Sequence, residues 1–199
     1  MADKFYGKYR GRVIDNLDPL ELGRLMVSAP GPLGLVATAW AMPCVPYAGS
    51  GVGFFMMPPI EAWVWIEFEG GDLDYPIWTG CFWAEAQVPA EPAVPTTKVL
   101  KTASCTLTLN DLDGEGGFSL TVNPPAAEPP ISISASSSGG LSLTVGTTSI
   151  VIRETGVTIT ADPGIVNITP EGVSLNHGAA SVELTEPQVS INDGALEVI

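Results

Sequence analysis

From Leu141 onward, apolar residues come in pairs one position apart: Leu141/Leu143, Ile150/Ile152, Val157/Ile159, Val166/Ile168, Val173/Leu175, Val182/Leu184, Val189/Ile191 and Leu196/Val198. Successive pairs start 9, 7, 9, 7, 9, 7 and 7 residues apart, so all but the last step sum to a 16-residue unit of two short strands. Each pair has the period-two spacing of side chains that share one face of a strand. Strand-breaking residues recur between the pairs, at Gly146, Gly156, Pro163-Gly164, Gly172, Gly178, Pro187 and Gly194. A chain that repeats in this way does not close a compact core from its own strands. It buries its apolar face by stacking turn upon turn, or against copies of itself.

The rest of the chain is of a different kind. All five tryptophans and all four tyrosines lie before residue 86, and Phe118 is the only aromatic residue after Lys98. Residues 1–86 read as one domain and 87–104 as a Pro- and Ala-rich, stiff connector. Residues 105–199 are the repeat region. Charge divides in the same way: residues 1–101 hold seven Lys or Arg against eleven Asp or Glu, whereas residues 102–199 hold only Arg153 against eleven acids. Such an acidic repeat is repelled by nucleic acid and by anionic lipid, and its charge keeps a β-rich object soluble. No apolar run is long enough to span a membrane and no export leader is evident, so synthesis in a cytosol is expected. Cys44, Cys81 and Cys105 are odd in number and widely spaced, which favours small unpaired residues over a disulfide framework or a metal site.

Within the first domain, Tyr9–Ile14, Gly23–Ser28, Glu61–Glu69 and Ile77–Trp83 read as strands. The span EAWVWIEFE alternates strictly, with Val64, Ile66 and Phe68 on one face and Trp63 and Trp65 on the other. About five strands in so short a span predict a small closed barrel, because an open sheet of this size exposes its edges. No helix is predicted, and a sandwich would need more strands.

These pieces resemble a known family. Gly11-Arg12-Val13, Asp18-Pro19 and Gly23-Arg24-Leu25-Met26-Val27 are similar to the opening strands of the barrel in phage baseplate assembly protein V and the type VI secretion spike. Ala41–Gly53 resembles that domain's connecting loop. The span from Val64 to Gly80 (VWIEFEGGDLDYPIWTG) follows the family pattern V-x-V-x-F-x-x-G-D-x-x-x-P-I-x-x-G closely, with Gly70, Asp72, Asp74, Pro76 and Gly80 in its turn and re-entry. The resemblance implies an all-β protein, in which an N-terminal five-stranded barrel of the oligonucleotide-binding type is followed by an intertwined, three-chain β-helix needle. It implies a structural role, with no enzyme activity and no cofactor: the central spike of a contractile tail or injection particle, which pierces its target only mechanically. The expected partners are two further copies of the chain, a separate hub protein at the barrel end, and a tip protein of the proline-alanine-alanine-arginine repeat type.

On this reading Leu141, Leu143, Ile150, Ile152, Val157, Ile159, Val166, Ile168, Val173, Leu175, Val182, Leu184, Val189 and Ile191 line the threefold axis, and Leu196, Val198 and Ile199 form the platform for the tip. About eleven strands at roughly 4.7 Å each make a needle on the order of 50 Å long. His177, in phase with Val173 and Leu175, reads as a turn residue rather than as one third of a metal ring. Trp63, Trp65, Trp78 and Trp83 read as core and subunit-contact residues. The alternative is a trimeric fibre or adhesin whose tryptophans form a stacking platform for a glycan. The 16-residue units carry none of the clustered catalytic side chains that a polysaccharide-cleaving solenoid needs.

Overall fold

A computed structural model describes residues 4–35, 38–193 and 195–198, without the side chains of Glu197 and Val198; Ile199 lies outside the described residues. The chain separates into two compact units, Met1–Val88 and Pro89–Ile199.

The first unit is a closed five-stranded barrel. Its strands are β1 (Tyr9–Asp15), β2 (Leu25–Ser28), β3 (Thr38–Pro43), β6 (Trp63–Phe68) and β7 (Pro76–Cys81), closed in the order β1-β2-β3-β7-β6. All neighbours are antiparallel except β3 and β7. Between β3 and β6 a small hairpin, β4 (Ala48–Gly49) and β5 (Val52–Gly53), projects from the wall. The alternation predicted in β6 holds: Val64, Ile66 and Phe68 turn into the core with Val13, Leu25, Val27, Ala29, Ala41 and Trp78. Gly11 is required where β1 crosses β6, because a Cβ there would press 2.8 Å from Ile66 Cγ1 and 3.1 Å from the Ser28 carbonyl oxygen.

Two elements differ from expectation. The segment Thr38–Pro43 is a strand, although its start carries no strand signal in the sequence and its end lies in the stretch that resembles a connecting loop. Its inward residue is the small Ala41, so the apolar alternation is faint. A one-turn helix, α1 (Pro30–Leu33), follows β2; prolines fit the first turn of a helix, where N–H groups are unpaired in any case.

The second unit is a twelve-stranded sheet in which each strand pairs antiparallel with the next, from β8 (Thr97–Lys101) and β9 (Cys105–Asn110) to β18 (Gln188–Ile191) and β19 (Leu196–Val198). Strand β8 falls inside the stretch expected to be a connector. It is an edge strand bearing Lys98 and Lys101, and Lys98 pairs with Asp111.

The regular part has a simple metric. From β12 (Gly140–Val145) and β13 (Thr148–Arg153) through β14 (Gly156–Ala161), β15 (Gly164–Thr169), β16 (Gly172–His177) and β17 (Ala180–Thr185), strands of six residues are joined by turns of two. In such a meander the second and fourth residues of one strand lie opposite the fifth and third of the next. The alternating 9- and 7-residue steps therefore keep every apolar pair on one face.

The glycines at the start of every second strand are also explained. A Cβ at Gly140, Gly156 or Gly172 would fall on the carbonyl oxygen of Ile152, Ile168 or Leu184, respectively. Each is sixteen residues from the next, and each marks the closest approach of a neighbouring strand end.

Candidate functional site

The repeat assembles two continuous apolar columns. One runs Ala135, Leu141, Ile152, Val157, Ile168, Val173, Leu184, Val189, Val198, each opposite the next across a strand pair. The other runs Ile133, Leu143, Ile150, Ile159, Val166, Leu175, Val182, Ile191, Leu196. All fourteen residues expected at the axis fall in these columns, with Leu196 and Val198 continuing them at the last strand. The opposite face carries Ser142, Thr144, Thr158, Asn167, Ser174 and Asn176, among which Asn167 and Asn176 each donate to Ser174 Oγ at 3.4 Å.

Among the described residues, no side chain of the columns is buried within the sheet. Leu141, Ile152 and Ile168 remain 44, 44 and 45 % exposed, and every buried hydrophobic residue among those described belongs to the barrel. Full burial of one such side chain is worth about 1.5–3 kcal/mol relative to exposure, so the fourteen together hold on the order of 10 kcal/mol per chain in reserve.

His177 shares the apolar face with Val173 and Leu175, opposite Gly164 on one side and Ala180 on the other. Among the described residues no group of three or more His, Cys, Asp or Glu side chains is placed to hold a metal ion, and no helix is long and apolar enough to cross a membrane.

In the barrel, the expected motif forms the β6–β7 turn. Gly70 and Gly71 adopt φ of +56° and +74°, which L side chains rarely tolerate. Asp72 accepts the Asp74 N–H at 3.2 Å and lies 3.4 Å from Lys4 Nζ; the backbone bond first, and Lys4 second, hold its carboxyl below the ordinary range. Asp74 enters through its backbone, Pro76 opens β7 opposite Phe68, and Gly80 sits at the register shift between β6 and β7.

A stronger polar cluster lies in the β1–β2 connection, where sequence reasoning used Asp18 only as part of a resemblance. The Asp18 carboxylate accepts Arg24 Nη2 at 2.6 Å and Nε at 3.0 Å, together with the backbone N–H groups of Leu20, Leu22 and Arg24. The Arg24 side chain, reinforced by those N–H groups, holds the Asp18 carboxyl far below the usual carboxylate range despite the opposing effect of burial. Every lone-pair direction is occupied, so the group clamps a loop and has nothing left for a substrate. An acid followed six residues later by Arg, across a turn-rich span, was the available signal.

Trp63, Trp65 and Trp78 do not make an open platform, whereas Trp83 is 63 % exposed. Trp78 is buried and donates through Nε1 to the Gly23 carbonyl at 3.2 Å. Trp63 and Trp65 stack on Phe82 with ring centroids 5.6 and 4.6 Å apart. The Arg12 guanidinium lies 4.3 Å over Trp63, and Arg10 lies 6.0 Å over Trp65. The faces of Trp63 and Trp65 that a sugar ring would use are occupied by the protein's own side chains.

Cys44 and Cys81 line one apolar hollow and both keep exposed surface, while partial desolvation there pushes the Cys81 thiol above its ordinary pKa. The other hollow of the barrel, framed by the β4–β5 hairpin, had no counterpart in the sequence reading.

Comparison with known proteins agrees with this division. Residues 9–83 match the family model of the injector OB domain of type VI secretion systems and phage baseplates. Residues 97–197 match the model of the phage baseplate V C-terminal trimerisation domain. A search of curated proteins finds no match. The barrel thus has the boundaries of an injector OB domain, and the sheet with an uncovered apolar face coincides with a domain that trimerises. The chain belongs to the phage baseplate V family, a family of structural, spike-like proteins that assemble into phage tails or secretion particles.

Proposed function

We propose that three copies of this chain form the central spike of a contractile phage tail or a phage-derived injection system, and that the spike pierces the target envelope when the sheath contracts. The observation that carries this reading is the pair of uncovered apolar columns in a sheet with no core of its own. Three such faces, each turned toward a common axis, give every Leu, Ile and Val of the columns a partner and leave Ser, Thr, Asn and the acids outside. Strength under load then comes from a continuous hydrogen-bonded ladder and from burial shared among three chains.

The capping of Trp63 and Trp65 by Arg12 and Arg10 supports this reading over a glycan-binding fibre. As the last strand of the sheet, β19 leaves one edge unpaired among the described residues, with Leu196 56 % exposed. A separate conical tip protein seated on Leu196, Val198 and Ile199, and a hub protein at the barrel end, complete the proposed assembly. The chain is made in the cytoplasm and leaves it only as part of the particle. Light scattering on the purified chain should give the mass of a trimer that resists SDS without heating; a monomer would overturn the reading. Removal of Leu196–Ile199 should abolish tip binding and leave the trimer intact.

A further inference from the structure

The barrel leaves an apolar surface uncovered on its own fold. The β4–β5 hairpin arches over a hollow of about 540 Å3 floored by Gly23, Pro43, Val45, Met57 and Trp78. Phe54, Phe55 and Met56 stand 48, 77 and 41 % exposed on its wall. The β1–β2 loop adds Leu22, also exposed, and is tied in place by Asn16 Nδ2, which donates to the Pro58 carbonyl at 2.9 Å. An apolar patch of this extent, with Glu21 at its edge, is the kind of surface that proteins cover rather than leave in water.

We propose that this patch is covered by the barrel of the neighbouring copy, through the outer face of that copy's β1. The inference rests on the trimeric reading of the C-terminal sheet. Three barrels carried by one trimer are tethered at millimolar effective concentration, so even a weak contact between them fills before any dilute partner competes.

Charge selects the face. Five of the eight Lys and Arg residues are Lys4, Lys8, Arg10, Arg12 and Arg24, all in the barrel, whereas the second unit holds Lys98, already paired with Asp111, Lys101 and Arg153. A patch edged by an acid therefore finds more of its complement on a barrel than on the sheet. Lys8, just before β1, and Arg10 and Arg12 on it stand at alternate positions; Lys8 bonds Glu67 and Thr79, and Arg10 and Arg12 lie over aromatic rings. Arg10 has no acid among its partners in the described structure, which leaves it the cation of this face free to meet Glu21 of the next copy. Patch and cationic face are different surfaces, so the contact is head to tail, and threefold symmetry closes it into a ring.

The test uses the full chain with Cys44→Ser, Cys81→Ser, Cys105→Ser and Phe55→Cys, labelled by a maleimide. Labelling in the trimer should be about tenfold slower than in the same chain made monomeric by Ile159→Asp, the protection that a contact of roughly 0.1 mM strength gains at millimolar tethering. Arg10→Glu, on the outer barrel face, should restore fast labelling without changing the trimer's mass. Equal rates in a chain shown by light scattering to be trimeric would overturn the proposal and leave the spike reading standing. Protection that survives Arg10→Glu would overturn it as well. A parent chain that is monomeric would overturn the trimeric reading, and this inference with it.

Discussion

The two units solve the burial of β-strands in opposite ways. The barrel draws nine inward residues from all five of its strands and from the turn after β2, and closes them in a single chain. The sheet has more strands and a more regular apolar pattern, yet it buries none of those side chains by itself. The difference lies in how each chain turns. Barrel strands are joined by connections of unequal length, one of them clamped by Asp18, and these let β3 and β7 meet in parallel and close the wall. Six-residue strands joined by two-residue turns only extend a meander. Regularity at short range produces an open surface, and closure then becomes a matter for other copies of the chain.

Placing a charge in the columns breaks this contrast most directly. Ile159→Asp introduces three carboxylates into one assembled interface, at a cost of several kcal/mol each when unpaired. The chain should lose its trimer by light scattering while its tryptophan emission, which reports only the barrel because all five tryptophans lie before residue 86, stays native. Loss of the native emission as well would show that the two units are not independent.

The converse change is Ile66→Ala in the barrel core, where Ile66 is fully buried. It should destabilise the barrel by about 2–5 kcal/mol, seen as an earlier tryptophan transition in urea, with the trimer mass unchanged. Gly156→Ala tests the metric of the repeat. Forcing a Cβ onto the Ile168 carbonyl should cost about 1–3 kcal/mol per chain and lower the melting of the β-rich far-UV signal alone. A silent Gly156→Ala would mean that the strand end yields freely.

The smallest effect is a dependence on pH. The folded-state pKa of Asp18 lies below its unfolded value, so the stability it contributes is complete above the unfolded carboxylate pKa near 3.9 and is lost as pH falls through the folded value. Urea midpoints followed by tryptophan emission should therefore fall as pH drops below about 4, and Asp18→Asn should flatten that slope. Equal slopes in both proteins would remove Asp18 from the barrel's acid response.

What was legible in the sequence follows the same contrast. The columns could be read from Leu141 onward because each residue's partner lies within one hairpin, where spacing alone sets who faces whom. In β6, Val64, Ile66 and Phe68 were legible because strict alternation is also a local signal. Strand β3 was not, since its inward position is Ala41 and its partners Leu25 and Ile77 lie far along the chain on either side. The Asp18–Arg24 clamp and the hollow under β4 and β5 depend on loop conformations that leave no periodic trace. Strand β8 was hidden by the prolines before it, and it forms because β9 offers it an edge.

The eight-residue step from turn to turn also bears on descent. A duplication or loss of one sixteen-residue unit returns the chain to the same strand, the same glycine and the same two columns, so needle length can change in a single genetic event without new packing being invented. The barrel has no such neutral step, because each of its inward residues answers to a different neighbour. Among relatives, the length of the repeat region should therefore vary in whole units while the size of the barrel stays constant.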